Sequence, residues 1–288
     1  MDERNERKRK SQFKDVVRRF RKNKLAVVAF FVLIVIILCT IFSEYITPYD
    51  YAKQDLRNKM AYPSLEHPLG TDQLGRDLLT RILVGGRVSL SVAFLAVILA
   101  VIAGGLLGAS AGYFGGLYDN IIMRSLDVIS GIPRFLLAIC VQAALGTGIR
   151  NAAVAIAIGT IPSLARITRS SVLTIGSNEF VEAARANGAS SFRIIVDHLI
   201  PNALAPIIVT ATLDLGSAIL TISSLSFIGL GVQPPTPEWG SILASGRLYI
   251  RDFYPIVTFP GIAILITLLA FNLAGDGLRD ALDPKLKR

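Results

Sequence analysis

Apolar residues along this chain gather in six long stretches, and the polar residues and glycines collect between them. A helix crossing ~30 Å of hydrocarbon at ~1.5 Å per residue needs about 20 predominantly apolar residues. Residues 25–42, 88–112, 119–146, 151–164, 203–231 and 256–274 supply such stretches. The first contains no charge, and 151–164 is long enough only if it continues toward Thr174. The pattern predicts an all-α, polytopic membrane protein with six transmembrane helices: an N-terminal anchor at 25–43 and a five-helix core at 88–279. A segment at 44–87 separates them, and tails at 1–24 and 280–288 flank them.

The connecting segments have patterns of their own. In 67–77 turn residues dominate, and Thr71 or Asp72 is placed to cap a helix. Leu74, Leu78, Leu79, Ile82 and Leu83 then recur at helical spacing, which predicts an amphipathic helix lying at the membrane interface and leading into the second span. Gly104, Gly108 and Gly112 repeat every fourth residue within that span. They give it a flat face for close helix packing, either inside this chain or against a second membrane subunit. Between the fourth and fifth spans, Ser177 or Asn178 opens a short helix that Asn187-Gly188 stops. Ser190 or Ser191 caps a second helix through Phe192, Ile194, Ile195 and Leu199, with Pro201 marking its end or a kink. Two short arms joined at a glycine predict an elbow with small alanines on one arm and Phe192 and Ile195 exposed on the other. Such an elbow suits a partner's groove; the plainer alternative is an ordinary interhelical loop.

Charge orients the chain. The 288 residues are 52% hydrophobic and only 18% charged, yet the net charge is +9. Soluble domains carry about 25% charged residues, so the composition excludes an ordinary soluble enzyme, a disordered chain and a disulfide scaffold. Residues 1–24 hold eleven Lys and Arg against four acids. With that tail cytoplasmic, twenty Lys and Arg fall on the cytoplasmic side and nine outside, so both termini are expected inside. That makes 44–87 extracytoplasmic and 1–24 and 280–288 cytoplasmic tails. Beside a span, a basic tail fits anionic lipid headgroups and topology, not nucleic acid. The first apolar run exceeds a signal peptide's core and is followed by no small-residue cleavage site, so it is expected to remain as an anchor. Cys39 and Cys140 lie in apolar runs and read as small apolar side chains.

Catalytic chemistry is missing from the pattern. The chain has no GxxxxGK[ST] phosphate loop. Its two histidines, His67 and His198, fall in predicted loops without a matching acid or serine. Two charges fall inside spans: Arg134, about fifteen residues into the third, and Asp214, about eleven into the fifth. A charge at that depth costs at least ~2.5–3.5 kcal/mol unless it faces a partner or water. They are therefore candidates for pairing with each other, for pairing with another subunit, or for lining a route through the membrane. A secondary transporter acting alone would need repeated halves and several buried carboxylates; Asp214 is the one well-placed acid, and no repeat is visible.

Four segments carry a family resemblance. Glu182-Ala183-Ala184, then Gly188, then His198-Leu199-Ile200-Pro201 resemble the EAA motif of importer-type ABC transporter permeases, with His198 and Ile200 departing from the usual Ile and Leu. Residues 70–77 (GTDQLGRD), 225–240 (LSFIGLGVQPPTPEWG) and 272–284 (NLAGDGLRDALDP) resemble the C-type permeases of the dipeptide, oligopeptide, nickel and glutathione branch. The resemblance implies that the core forms half of a heterodimeric pathway with a B-type permease. Two ATPase subunits would carry ATP and magnesium beneath it, this chain holding no cofactor, and an extracytoplasmic binding protein would deliver cargo. It implies an inner-membrane location and di- or oligopeptides as cargo, with nickel complexes or glutathione as alternatives. It also implies that the elbow, through Glu182, Ala183, Ala184, Arg185, Gly188, Phe192 and Arg193, docks into an ATPase.

Overall fold

Uninterrupted apolar runs leave the backbone no partner but itself, and helices result. The computed structural model describes residues 15–282; most of the basic N-terminal tail, and residues 283–288 of the C-terminal one, lie outside the described residues. The principal helices are α1 (Lys24–Ile41), α2 (Leu78–Phe114), α3 (Gly116–Ser130), α4 (Arg134–Leu145), α5 (Ile149–Gly176), α6 (Glu179–Ala186), α7 (Ser191–Phe227), α8 (Trp239–Gly246) and α9 (Pro255–Leu282). Among the described residues there is no β-strand, and one isolated bridge joins Thr71 to Asp77. Helices α1, α2, α5, α7 and α9 are long and apolar enough to cross a membrane, and α3 with α4, bent by 89° to each other, adds a sixth crossing when the pair is counted as one span.

That bend corrects the expectation of a continuous third span. Pro133 lacks an N–H and clashes with a preceding turn, and Gly131 before it weakens the helix further. The chain therefore breaks at 131–133. Helix α4 has 12 residues, about 18 Å, well short of the hydrocarbon thickness. Helix α3 is tied to α5 by Asp119–Arg169 and by Asp127–Arg166 at 3.2 Å.

The second span also differs from its expected start. No separate interfacial helix precedes it: the turns holding Leu78, Leu79, Ile82 and Leu83 are the first turns of the 37-residue α2, and Leu74 lies ahead of it. The cap is Asp77, not Thr71 or Asp72; its Oδ2 accepts from Thr80 N at 2.7 Å. The boundary expected at 87/88 therefore falls inside a helix.

Asp72 serves the 44–77 segment instead. Its Oδ1 accepts from the Leu74 and Arg76 amides, and its Oδ2 from Arg76 Nε at 2.6 Å, with Arg81 Nε 3.3 Å away. His67 is likewise not without an acid: Nδ1 lies 2.9 Å from Asp77 Oδ1, and both side chains are buried. Gly70 and Gly75 have positive φ, and a Cβ would come within 2.4 Å of the Ala61 carbonyl oxygen or 1.7 Å of the Asp55 carbonyl oxygen. The 70–77 motif is thus a folded knot that seats the start of α2. Tyr62 ties the segment to the turn before α9, its hydroxyl donating to Asp252 O and its ring packing edge-on against Phe253.

Packing in the core depends on small residues. The Gly104, Gly108 and Gly112 face of α2 lies on α5 of this chain, where a Cβ would meet the carbonyl oxygens of Ile161, Ala165 and Arg169 at 2.9, 2.2 and 3.0 Å. Of the two alternatives, packing within the chain is the one observed. Helix α8 presses on α7 through Gly240, whose Cβ would sit 1.9 Å from Ser223 O. Trp239 is buried beside Gly86 and donates its indole N–H to Ile82 O at 2.8 Å. Helix α1 joins the bundle along α9, where Gly277 faces Ala26.

Candidate functional site: the elbow and the intramembrane break

The elbow is built from a complete C-terminal stop. After α6, Gly188 adopts φ +76°, its N–H donates to Arg185 O, and Ala189 N–H donates to Ala184 O. These two bonds are the Schellman pattern, which satisfies carbonyls left open by the helix end. Asn178 occupies the N-cap position, but neither it nor Ser177 caps α6 through its side chain. Glu179 and Glu182 in the first turn and Arg185 in the last complement the helix dipole instead.

One face of the elbow is anchored. Val181, Ile194, Ile195 and Leu199 are buried against Ala109 and Val172, with Ala184 half-buried beside them. Ile195 is therefore a core residue, not an exposed one, because the second arm turns it toward the foot of α2 and α5. The Arg185 guanidinium stacks 5.6 Å from the Tyr113 ring. The other face is open: Glu182, Ala183 and Gly188 are exposed, Arg193 pairs loosely with Asp197 at 3.6 Å, and Phe192 is 73% exposed.

Pro201 neither ends the second arm nor starts a loop. Ser190 Oγ caps the arm at Arg193 N, and α7 then runs unbroken through 191–227. A wider turn at Ile194–Leu199 precedes Pro201. Widening spares the hydrogen bond that Pro201 cannot donate and the clash its ring would cause. His198 consequently lies in a helix, its ring 6.5 Å from that of Phe180. The second arm of the elbow and a helix long enough to cross the membrane are one piece.

Between α4 and α7 the structure joins Arg134 and Asp214. Arg134 is the first residue of α4, and its Nη1 donates to Asp214 Oδ1 on α7 at 3.2 Å. Gly159 of α5 lies against the Arg134 backbone. The two side chains are unequally placed, 51% and 9% exposed.

Sequence reasoning passed over Glu238. It caps α8, is fully buried, and accepts from Ser89 Oγ at 2.8 Å, Ser223 Oγ at 3.0 Å and Ser241 N at 3.1 Å. The serines spaced along α2 and α7 were the signal. Burial pushes its carboxyl above the usual range, and the surrounding hydrogen bonds pull it back in part. A raised folded-state value means the native protein holds this proton after the unfolded chain has lost it. Stability from this site is thus highest below the ordinary carboxylate value and falls as pH rises through the folded one. Glu238→Gln is expected to flatten that slope in melting curves of the detergent-solubilised protein taken across a pH series. Among the described residues no cluster of His, Cys, Asp or Glu is arranged to hold a metal.

Comparison with known proteins agrees with this architecture. Residues 104–288 match the family described as the binding-protein-dependent transport system inner membrane component, and residues 11–68 match the N-terminal transmembrane domain of oligopeptide transport permease C. The dipeptide transport system permease of Alkalihalophilus pseudofirmus is 46% identical over 96% of this chain and 91% of its own length. The di/tripeptide permease of Pseudomonas aeruginosa is 43% identical over 96% and 93%. The glutathione transport system permease of Escherichia coli O157:H7 is 45% identical over 94% and 89%. In fold, the chain is similar to the inward-facing MetNI methionine ABC transporter, with a TM-score of 0.56, 20% identity and coverage of 70% of this chain and 97% of that one. With its elbow, its bent third crossing and its matched N-terminal segment, the chain belongs to the inner-membrane components of binding-protein-dependent transport systems, in the C-type branch of the peptide-family ABC importer permeases.

Proposed function

We propose that this chain forms half of the translocation pathway of an ATP-driven importer for di- and oligopeptides and couples it to an ATPase through the elbow. The observation that carries the reading is the elbow, anchored on one face, open on the other and continuous with α7. A B-type permease supplies the other half of the pathway. Two ATPase subunits hold ATP and magnesium and perform the hydrolysis, and an extracytoplasmic binding protein brings the cargo. The elbow and both termini lie on the cytoplasmic side of the inner membrane, in keeping with the Lys and Arg bias.

In this reading Phe192 is the apolar anchor in the ATPase cleft. Glu182, Ala183 and Gly188 form the close-contact surface, and Arg185 and Arg193 are charged flanks. ATP-driven closure of the ATPases moves the elbow, and α7 carries the displacement to the Asp214–Arg134 contact, which lines the pathway. A ligand-driven change of this kind needs an element with different contacts in two states. The similarity to the glutathione permease supports one alternative cargo within the same role; nickel complexes are the other.

Purification from native membranes through a tag on this chain tests the assembly. Two Walker-motif ATPases, a second permease and a binding protein are the expected companions. A lone chain or a homodimer would overturn the reading in favour of a secondary transporter. Phe192→Asp, an exposed substitution, is expected to leave the permease pair intact while cutting ATPase recovery about tenfold, as loss of a buried aromatic anchor does at protein interfaces.

A further inference from the structure

The break at 131–133 opens the main chain on one face of the bundle. Residues 130–136 are exposed there, and the first N–H groups of α4 follow Pro133, which provides no side-chain cap. Open main chain of this kind does not face lipid, because hydrocarbon offers it no partner; it faces protein or a water-filled cavity.

Arg134 begins α4 at this point. One of its N–H groups is held by Asp214, and among the described residues the others make no hydrogen bond. Asp214 is the reverse case: the side chain is nine-tenths buried, and its Oδ2 has no hydrogen-bond partner. The anion is thus sunk and fixed while the cation is presented. A guanidinium has five donors in a planar fork suited to carboxylate, and most of this fork is open. The start of α4 adds a partial positive charge on the same side. Its neighbours along the chain, Ile132, Phe135 and Leu136, are all exposed and apolar. One anion anchor among apolar walls fits cargo that varies in side chain but always carries a carboxylate.

We propose that Arg134 is a specificity-determining contact for the carboxylate of the passing cargo, and that Asp214 is the positioning residue that aims it. The inference rests on the reading that this face lines the pathway. Asp214 also keeps the site from binding too tightly, since it already shares the guanidinium charge.

The test uses the complete transporter with its binding protein in proteoliposomes, alanylalanine as cargo, and ATP hydrolysis as a parallel readout. Arg134→Gln with Asp214→Asn removes both charges and leaves no stranded carboxylate. It is expected to lower the maximal uptake rate about tenfold, the worth of a charge-assisted hydrogen bond, with KM and ATP hydrolysis unchanged. A purely structural pair predicts near-normal uptake from this neutral pair, and that result would overturn the proposal. Ile132→Asp, on an exposed residue two positions before Arg134, adds a competing carboxylate close to it in the chain and is expected to slow uptake to a similar extent, while Ile132→Asn does not; equal rates for the two would also overturn it. Arg134→Cys, with Cys39 and Cys140 replaced by alanine, separates this inference from the reading beneath it. Labelling by a water-soluble maleimide keeps the pathway assignment even where the uptake tests fail, and absence of labelling removes both.

Discussion

Gly108→Val is expected to abolish stable insertion of the core. The α-carbon of Gly108 lies where α2 crosses α5, and even a Cβ would approach the Ala165 carbonyl oxygen to 2.2 Å and the Thr168 Cβ to 2.9 Å. The nearest obstacle is backbone, which no rotamer change can move. Valine adds two more methyl groups at the same crossing, so the helices must separate. Separation also pulls apart Gly104 and Gly112, whose own contacts sit one turn away on either side. Overpacking a tight core costs about 1–3 kcal/mol, and here several contacts are lost together. Membrane helices gain little from hydrophobic burial against each other and depend on close packing, so little reserve offsets that loss. Protein levels and protease resistance in membranes would measure the effect. Gly105→Val is the internal control: nothing lies within 4 Å of its Cβ position, and it should accumulate normally.

The same contrast explains what could be read from the residues alone. The apolar runs marked α1, α2, α5, α7 and α9 because burial in lipid demands length and hydrophobicity, and both are local properties. The glycine repeat revealed a flat face but not its partner, since whether α5 or another subunit fills it depends on tertiary arrangement. The 119–146 stretch read as one span because its hydropathy is continuous, whereas Pro133 with Gly131 imposes a bend that hydropathy does not register. Leu74 through Leu83 suggested an interfacial helix because amphipathic spacing looks alike on a separate helix and on the first turns of a long one, where Leu78 and Ile82 are buried in the core. His67 and Asp77 stand ten residues apart and meet only after Gly70 and Gly75 turn the chain. At the elbow, the glycine stop was legible from Asn187-Gly188, but the burial of Ile195 depended on the widened turn before Pro201. Arg134 and Asp214 were conspicuous as charges, and their pairing required the break that places Arg134 at a helix start.

Substitutions at Gly188 are expected to remove transport while leaving the protein inserted, in the order Val worst, then Ala, with Asn mildest. The φ of +76° lies in the left-handed region, and no atom stands within 4 Å of where a Cβ would be. The effect is therefore conformational and free of any clash within the chain. A Cβ-bearing residue pays about 1–2 kcal/mol in this conformation. Asparagine pays less because its side chain hydrogen-bonds locally, and a β-branched residue pays most. That energy is small beside the packing that holds α2, α5, α7 and α9 together, so the bundle should persist. While Val181, Ile194, Ile195 and Leu199 keep the arms seated on α2 and α5, the strain falls on the stop itself, on the bonds from Gly188 to Arg185 and from Ala189 to Ala184. Once they open, the exposed Phe192 no longer sits at a fixed angle to α6, and the two arms cannot enter one cleft together. Membrane protein levels within twofold of wild type, with uptake falling in that order, would be the expected pair of results. Equal losses for Asn and Val would point instead to a steric role for Gly188 against the ATPase surface, because bulk there would matter irrespective of backbone preference. Full uptake by Gly188→Val would remove the elbow from the coupling path altogether.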